Sequence, residues 1–529
     1  MSQRSKRKLG ITLTSVLATA LVLSACGGNN AGNNTGGNTP AANNTASNSA
    51  NTGSEGQSGV DTSQEVKLKM VLLGAKPADY DQVFGEMNKI LKEKINATIE
   101  AEFLAWSDWG QKYPLKFAAN EDFDIIYTSN WAQYSDQATK GGFLELTDDL
   151  LSKYAPQTWA AMPKVKWDQA RIEGKVYMIP SNKANEFTDK LVLIRDDLRE
   201  KYGLEPVNSP ETYAAYLKAV AKNEKAMTPY GLESAETTNH NLDKLLLIQK
   251  NNWKEFSGLP FSVKTTDEKA QVFNMYETPE FDQLLTYYKD LADNGGWSRN
   301  ALTTKGSTTD DFKVGKVASM THNVTALGGV LADAQKAHPD WKLALVDLSP
   351  ESNKSAAIST QNGMAVHATS KNAERALMAL DLFQNDKQLH DLAMYGVAGV
   401  NFTPEGDDKF TKTDKYGNYN SFSNWAWTST LDRVDSNYPQ VAQDVEKLWA
   451  GKVYNYKLES FVFDKTKVVN EVANVGNVMM RYLVPLEYGL IKDLDKGKAD
   501  LIKQMKAAGS DKIQAELQAQ IDAFLAQQK

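Results

Sequence analysis

The chain has 529 residues, a formal net charge of −7, 41% hydrophobic residues and one cysteine. A chain of that length outgrows a single compact core, so at least two lobes are expected. The acidic balance argues against nucleic acid or an anionic membrane surface as partner. A single cysteine excludes an internal disulfide framework and thiolate zinc sites.

In chain order, Arg4, Lys6, Arg7 and Lys8 form a basic start and Ile11 to Leu23 an apolar stretch, followed at once by Leu23-Ser24-Ala25-Cys26. This reads as a secretory signal over residues 1–25. Its last four residues match the bacterial lipobox, in which the cysteine carries lipid and becomes the first mature residue. Cys26 is therefore the expected lipid attachment, holding the chain on the extracellular face of the cell membrane. Loss of the four basic residues takes the net charge to about −11. Residues 26–64 are dominated by Gly, Asn, Thr, Ala and Ser, a composition that cannot bury a core and suits a disordered tether.

From Glu65 the pattern alternates between strand and helix. Val66–Leu73 reads as a strand. Tyr80–Lys94 reads as a helix with Val83, Met87, Ile90 and Leu91 on one face. Ala97–Leu104 reads as a strand, Trp109–Ala119 as a helix, and Phe123–Tyr127 as a short buried strand. A second block starts near Leu191. It has a helix from Asp196 to Tyr202 and another opened by Ser209-Pro210, with Ser as N-cap and Pro in the first turn. Glu280–Asn294 is helical, and Trp341–Val346 and Gly363–Val366 read as strands returning to the first lobe. The last third is mostly helical and ends with Lys512–Gln528. Strands separated by helices predict an α/β fold with parallel or mixed sheets.

Several stretches carry a resemblance: Asp124 to Trp131, Lys140 to Asp148, Gly174 to Pro180, Ile194 to Leu204, Phe312 to Met320 and Glu374 to Phe383. In this order, behind a lipobox, they resemble the extracellular solute-binding proteins of the sugar-uptake, maltose-binding-like class, in particular its large Gram-positive lipoproteins. The resemblance spans about residues 65–400. It implies a two-lobed periplasmic-binding-protein-like fold with hinge crossings and a ligand cleft between the lobes. On this reading residues 65–187 and 321–372 form lobe one. Residues 188–320 and 373–529 form lobe two, the latter with a helical C-terminal region. The implied function is capture of an oligosaccharide by lobe closure and delivery to the permease subunits of an ABC importer. The expected partners are that sugar, the permease and the membrane through Cys26, with no nucleic acid and no cofactor; a monomer is expected.

A sugar presents hydroxyls and flat C–H faces, so its site needs aromatic plates beside amide, carboxylate and hydroxyl groups. Candidates are Trp106, Asp108 and Trp109 after the second strand and Asn130 and Trp131 after the third. Glu186 lies at the first crossing, His322 and Asn323 past the return crossing, and Gln361 and Asn362 before a late strand. Trp425 and Trp427 lie in a run of Asn, Ser, Thr and Gly. Each has a plainer alternative. The tryptophans can fill core, Asn323 can serve a turn, His322 can be a satisfied polar residue and Glu186 a solvated charge. A peptide or other solute in the same fold is the alternative ligand. A secreted carbohydrate-active enzyme is a further alternative, yet the five histidines form no H-E-x-x-H, and no G-x-S-x-G or phosphate-loop motif occurs. Asp493 and Asp495 before Gly497 are spaced two apart like calcium ligands, but the glycine comes early and no Glu follows at the twelfth position, so a helix edge is expected there and no metal.

Overall fold

Two sheets organise the chain, each fed by pieces distant in sequence. The computed structural model describes residues 60–529 except 184–185, 233–241, 299, 301, 303–306, 455, 460 and 528–529. The signal, Cys26 and the tether up to residue 59 lie outside the described residues.

The first lobe is built on a five-stranded sheet in the order Ala97–Leu104, Val66–Leu73, Ile125–Thr128, Gly363–Val366, Ile179–Pro180. Val66–Leu73 runs parallel to both neighbours, with Leu73 opposite Leu104 and Met70 opposite Ile125. Gly363–Val366 joins antiparallel to Ile125–Thr128. Met70, Val71, Leu72 and Leu73 are all buried, because helices cover both faces of a sheet that is largely parallel. Helix Tyr80–Ile95 turns Val83, Met87 and Leu91 to this core and ends at Asn96, whose left-handed φ of 47° stops the helix.

The second lobe is built on a four-stranded sheet, Leu343–Val346, Lys190–Arg195, Val317–Asn323, Thr228–Tyr230. Side chains alternate faces along a strand, and Lys190–Arg195 uses both. Leu191 and Leu193 enter one buried cluster with helix Val324–Ala337 and Trp449. Val192 and Ile194 enter another, shared with Trp297, Leu483, Ile513 and Leu517. That second cluster reaches almost to the C-terminus, so the final helices, Leu494–Ala507 and Ser510–Gln527, are part of the second lobe's core.

Three expectations need correction. Leu343–Val346 is a strand, but it pairs antiparallel with Lys190–Arg195 in lobe two and does not return to lobe one. Helix Val324–Ala337, placed by sequence in the return segment 321–372, also packs in lobe two. Conversely, helices Ala373–Asn385 and Lys387–Tyr395 and the segment to Trp427 belong to lobe one: Leu377, Phe383, Leu389, Phe402 and Trp427 share its core. Periodicity locates strands and helices but does not say which sheet they join.

Among the described residues, the chain passes between lobes at three places. Residues 186–189 and 355–359 cross side by side, with Phe187 bridged to Ala356 and Ala357 N donating to Glu186 O at 2.6 Å. Thr428, whose hydroxyl lies 2.8 Å from that of Ser181, leads into Val434–Asp435, which still pairs with Lys409–Phe410 of lobe one; the third crossing then carries the chain to Tyr438, which packs on helix Val324–Ala337. There Gly328 leaves room for the tyrosine ring: a Cβ would fall 2.4 Å from Tyr438 Cε2.

Candidate functional site

Loops that follow parallel strands leave the sheet at one edge, so they gather there. The loops after Ala97–Leu104 and Ile125–Thr128 therefore meet beside the crossings, and both carry indoles. Trp106 is 43% exposed and Trp131 38%. Trp106 stacks on Trp425, with ring centroids 5.7 Å apart and planes 17° apart. Trp109 meets Trp131 edge to face at 6.0 Å, and Trp131 packs on Tyr127 at 5.8 Å.

Hydrogen bonds hold these rings. Trp131 Nε1 donates to the Gln361 carbonyl at 3.0 Å, and the Asn130 backbone N–H donates to the Thr360 carbonyl at 2.8 Å. The Tyr127 hydroxyl donates to Asn362 Oδ1 at 2.9 Å and accepts from Trp425 Nε1 at 3.2 Å. Asp108 pairs with Lys112 at 2.6 Å, while its buried Oδ1 has no hydrogen-bond partner. Trp106, Asp108, Trp109, Asn130, Trp131, Gln361, Asn362 and Trp425 thus come together in space. The signal was their position after parallel strands and, for Gln361 and Asn362, before a strand that lies beside Ile125–Thr128.

Beside this aromatic floor, where the first two crossings meet, lies a cavity of about 340 Å³. Its lining includes Lys166, Gln169, Lys183, Glu186, Ser359 and Glu459. Burial pushes the Glu186 carboxyl up; Lys183 opposes this, and Asp432 and Glu446 add repulsion. Burial holds the Lys166 ammonium below its ordinary value, and it donates to the Lys183 carbonyl at 2.8 Å. Glu186 was a sequence candidate. Lys166, Gln169, Lys183, Ser359 and Glu459 were not, because no local pattern distinguishes them from surface polar residues; only the crossings bring them together.

The other candidates have different surroundings. Burial, with Lys190 adding to it, pushes the His322 imidazole down to about 3, so it is neutral. Its Nδ1 accepts from the Asn323 N–H at 2.9 Å, which leaves the ring proton on Nε2. Asn323 is the N-cap of helix Val324–Ala337, its Oδ1 accepting from Ala326 N at 2.9 Å. Trp427 is a correction: it is 2% exposed and stacked on Phe383 at 4.3 Å inside the first lobe's core. It lies two residues from Trp425 in a short 3₁₀ turn, which points the two rings apart. Asp493, from the calcium-like spacing, is the N-cap of helix Leu494–Ala507. Among the described residues, no group of three or more His, Cys, Asp or Glu could hold a metal, and no helix is long and apolar enough to cross a membrane.

Among the described residues, the aromatic floor brings together indole rings and amide and backbone hydrogen-bonding groups. It offers flat apolar plates with fixed polar edges, next to a recess lined with charged and amide groups. Such a surface can hold a flat amphipathic molecule and order its hydroxyl or amide groups.

Comparison with known proteins agrees with this architecture. A protein of Streptococcus pneumoniae named carbohydrate ABC transporter substrate-binding protein is 24% identical over 538 residues, covering 99% of each chain. The N-glycan transport solute-binding protein NgtS of the same species, solved with Man5GlcNAc, shares the fold with a TM-score of 0.71 and 23% identity, over 88% of this chain and 100% of that one. The alginate-binding protein AlgQ2 matches with a TM-score of 0.64 and 16% identity, over 87% of this chain and 98% of that one. Residues 457–526 match a domain of unknown function, DUF3502. Residues 75–389 match the model for bacterial extracellular solute-binding proteins, well over half of the chain, and the protein belongs to that family.

Proposed function

We propose that this protein captures an oligosaccharide between its two lobes and delivers it to the membrane subunits of an ABC importer, with no chemistry on the protein itself. The observation that carries the reading is the aromatic floor: Trp106 stacked on Trp425, and Trp131 wedged between Trp109 and Tyr127, all beside a polar recess. Indole faces match the C–H faces of sugar rings, and carboxylate, ammonium and amide groups match their hydroxyls. The name of the end-to-end relative and the glycan named for NgtS support the same ligand class. Lipid at Cys26 would keep the receptor at the membrane, where a second acyl chain makes attachment lasting.

The test is a thermal-melt screen of the purified chain against Man5GlcNAc, fructo-oligosaccharides, alginate oligomers and short peptides. A ligand that binds only the folded form raises the melting temperature by mass action, about 2.7 kcal/mol of stabilisation at a hundred times its Kd. A shift with one sugar class, and recovery of that sugar intact by chromatography, supports the reading. A shift with peptides alone would overturn the ligand class, and cleaved sugar would overturn the absence of chemistry.

A further inference from the structure

The C-terminal domain of unknown function grips the opposite lobe. Near its start, residues 461–465, which form neither helix nor turn, run along the second lobe. Phe461 and Phe463 turn inward there: Phe461 meets Phe256 at 6.1 Å and Phe524 at 5.5 Å, and Phe463 is buried in the second lobe's core. Gln520, from helix Ser510–Gln527, fixes the backbone at Asp464 from both sides, donating to its carbonyl and accepting from its N–H, each at 2.9 Å. Residue 462 must then point the other way, since successive side chains of extended chain alternate. Val462 packs against the core of the first lobe. Three residues on, the Lys465 ammonium lies 3.6 Å from Asp136. Asp136 sits on helix Tyr134–Thr139, which begins three residues after Trp131. Glu459, in a turn earlier in the domain, forms part of the cavity wall.

We infer that residues 461–465 are a strap by which the C-terminal domain, whose Glu459 lines the cavity, spans the mouth of the cleft and fixes how far the lobes close. The strap has one apolar and one ionic grip on lobe one, beside the aromatic floor, and its other face is built into lobe two. Lobe closure therefore requires Val462 and Lys465 to seat, and lobe opening requires both to release. This gives the domain a mechanical task that holds whichever ligand occupies the site.

The test measures the distance between lobes in the ligand-free protein, so it is independent of the sugar-binding reading. In a Cys26→Ser chain, spin labels are placed at Lys140→Cys on lobe one and Lys503→Cys on lobe two, both exposed. Lys465→Glu sets like charge against Asp136 and is expected to lengthen the mean inter-label distance by several ångströms and broaden its distribution. The double exchange Asp136→Lys with Lys465→Glu restores opposite charges and is expected to bring the wild-type distribution back. A distribution unchanged in Lys465→Glu would overturn the strap. Failure of the exchange to restore it would do the same, because the lengthening would then come from damage to the fold and not from the lost grip.

Discussion

Two tryptophans two residues apart separate binding from stability. Trp425 shares the exposed stack with Trp106, whereas Trp427 lies on Phe383 in the core. Trp131→Ala and Trp106→Ala should leave folding stability within about 0.5 kcal/mol of wild type, as for other partly exposed sites. In titration calorimetry they should weaken the sugar identified in the melt screen by about tenfold or more. Trp427→Ala should instead cost about 3–5 kcal/mol of stability by leaving a cavity. Equal affinity in both exposed-site variants would remove the floor from the site. A titratable group makes a second test at this scale. Asp189, on the first crossing, accepts from the Ser355 N–H on the second. Burial pushes its carboxyl from the usual 3.8 up to about 6, against Ser355 N–H, Lys354 and Lys254 and with Asp347 adding repulsion. The native state thus binds the proton more tightly than the unfolded chain. Stability is gained as pH falls through about 6 toward 3.8 and is lost again as pH rises, by an upper bound of about 3 kcal/mol at about 1.4 kcal/mol per unit. Asp189→Asn keeps an acceptor for Ser355 and removes the buried charge. It should raise the melting temperature at pH 8 and flatten the slope between pH 4 and 6, and a slope identical to wild type would assign that region to other groups.

Elements of both lobes were legible where their local patterns are strong. Val66–Leu73, Ala97–Leu104 and the helix between them have uninterrupted strand and helix periods, and Ser209-Pro210 opens its helix as the N-cap rule expects, with Ser209 accepting from Thr212 N at 3.3 Å. Loops after those strands were also placed correctly enough to gather the indoles at one edge. What sequence did not carry is membership: Leu343–Val346 has the pattern of a strand that fits either sheet, and only pairing with Lys190–Arg195 decides. Nor could pattern find Lys166, Gln169 or Glu459, which meet across the crossings and not along the chain. The crossings are also where a helix can be tested as a unit. Helix Val324–Ala337 accepts the third crossing through Gly328, against which the Tyr438 ring lies; its hydroxyl donates to Glu446 Oε1 at 2.9 Å. Gly328→Ala would gain helix propensity of about 1 kcal/mol, but its methyl would collide with the ring. Overpacking of this kind costs about 1–3 kcal/mol, so the net change should be a loss, with faster hydrogen exchange at residues 434–438. A stabilised variant would show that the ring moves freely.

At the scale of the whole molecule, the family match and the packing divide the chain differently. Residues 457–526 match a domain of their own, after the solute-binding match ends at 389. In the folded chain they are not a separate body. Leu458, Val475, Met479, Leu483, Leu501, Ile513 and Leu517 share one buried cluster with Val192, Ile194, Phe281 and Trp297, and Trp297 Nε1 donates to the Tyr488 carbonyl at 3.2 Å. The buried residues of the first lobe's core, by contrast, lie between 68 and 427, with Val462 of the C-terminal domain packed against them. Each large side chain withdrawn from a core costs about 2–5 kcal/mol, and a whole domain is held by only about 5–15 kcal/mol. A chain ended at residue 456 strips several such side chains from one lobe and almost none from the other. It should lose hydrogen-exchange protection in Lys190–Arg195 and Val317–Asn323 while Val66–Leu73 and Ala97–Leu104 keep theirs. Retained protection in both sheets would mean that the second lobe is complete without its C-terminal helices. Loss in both would mean that the three crossings make the two lobes one folding unit.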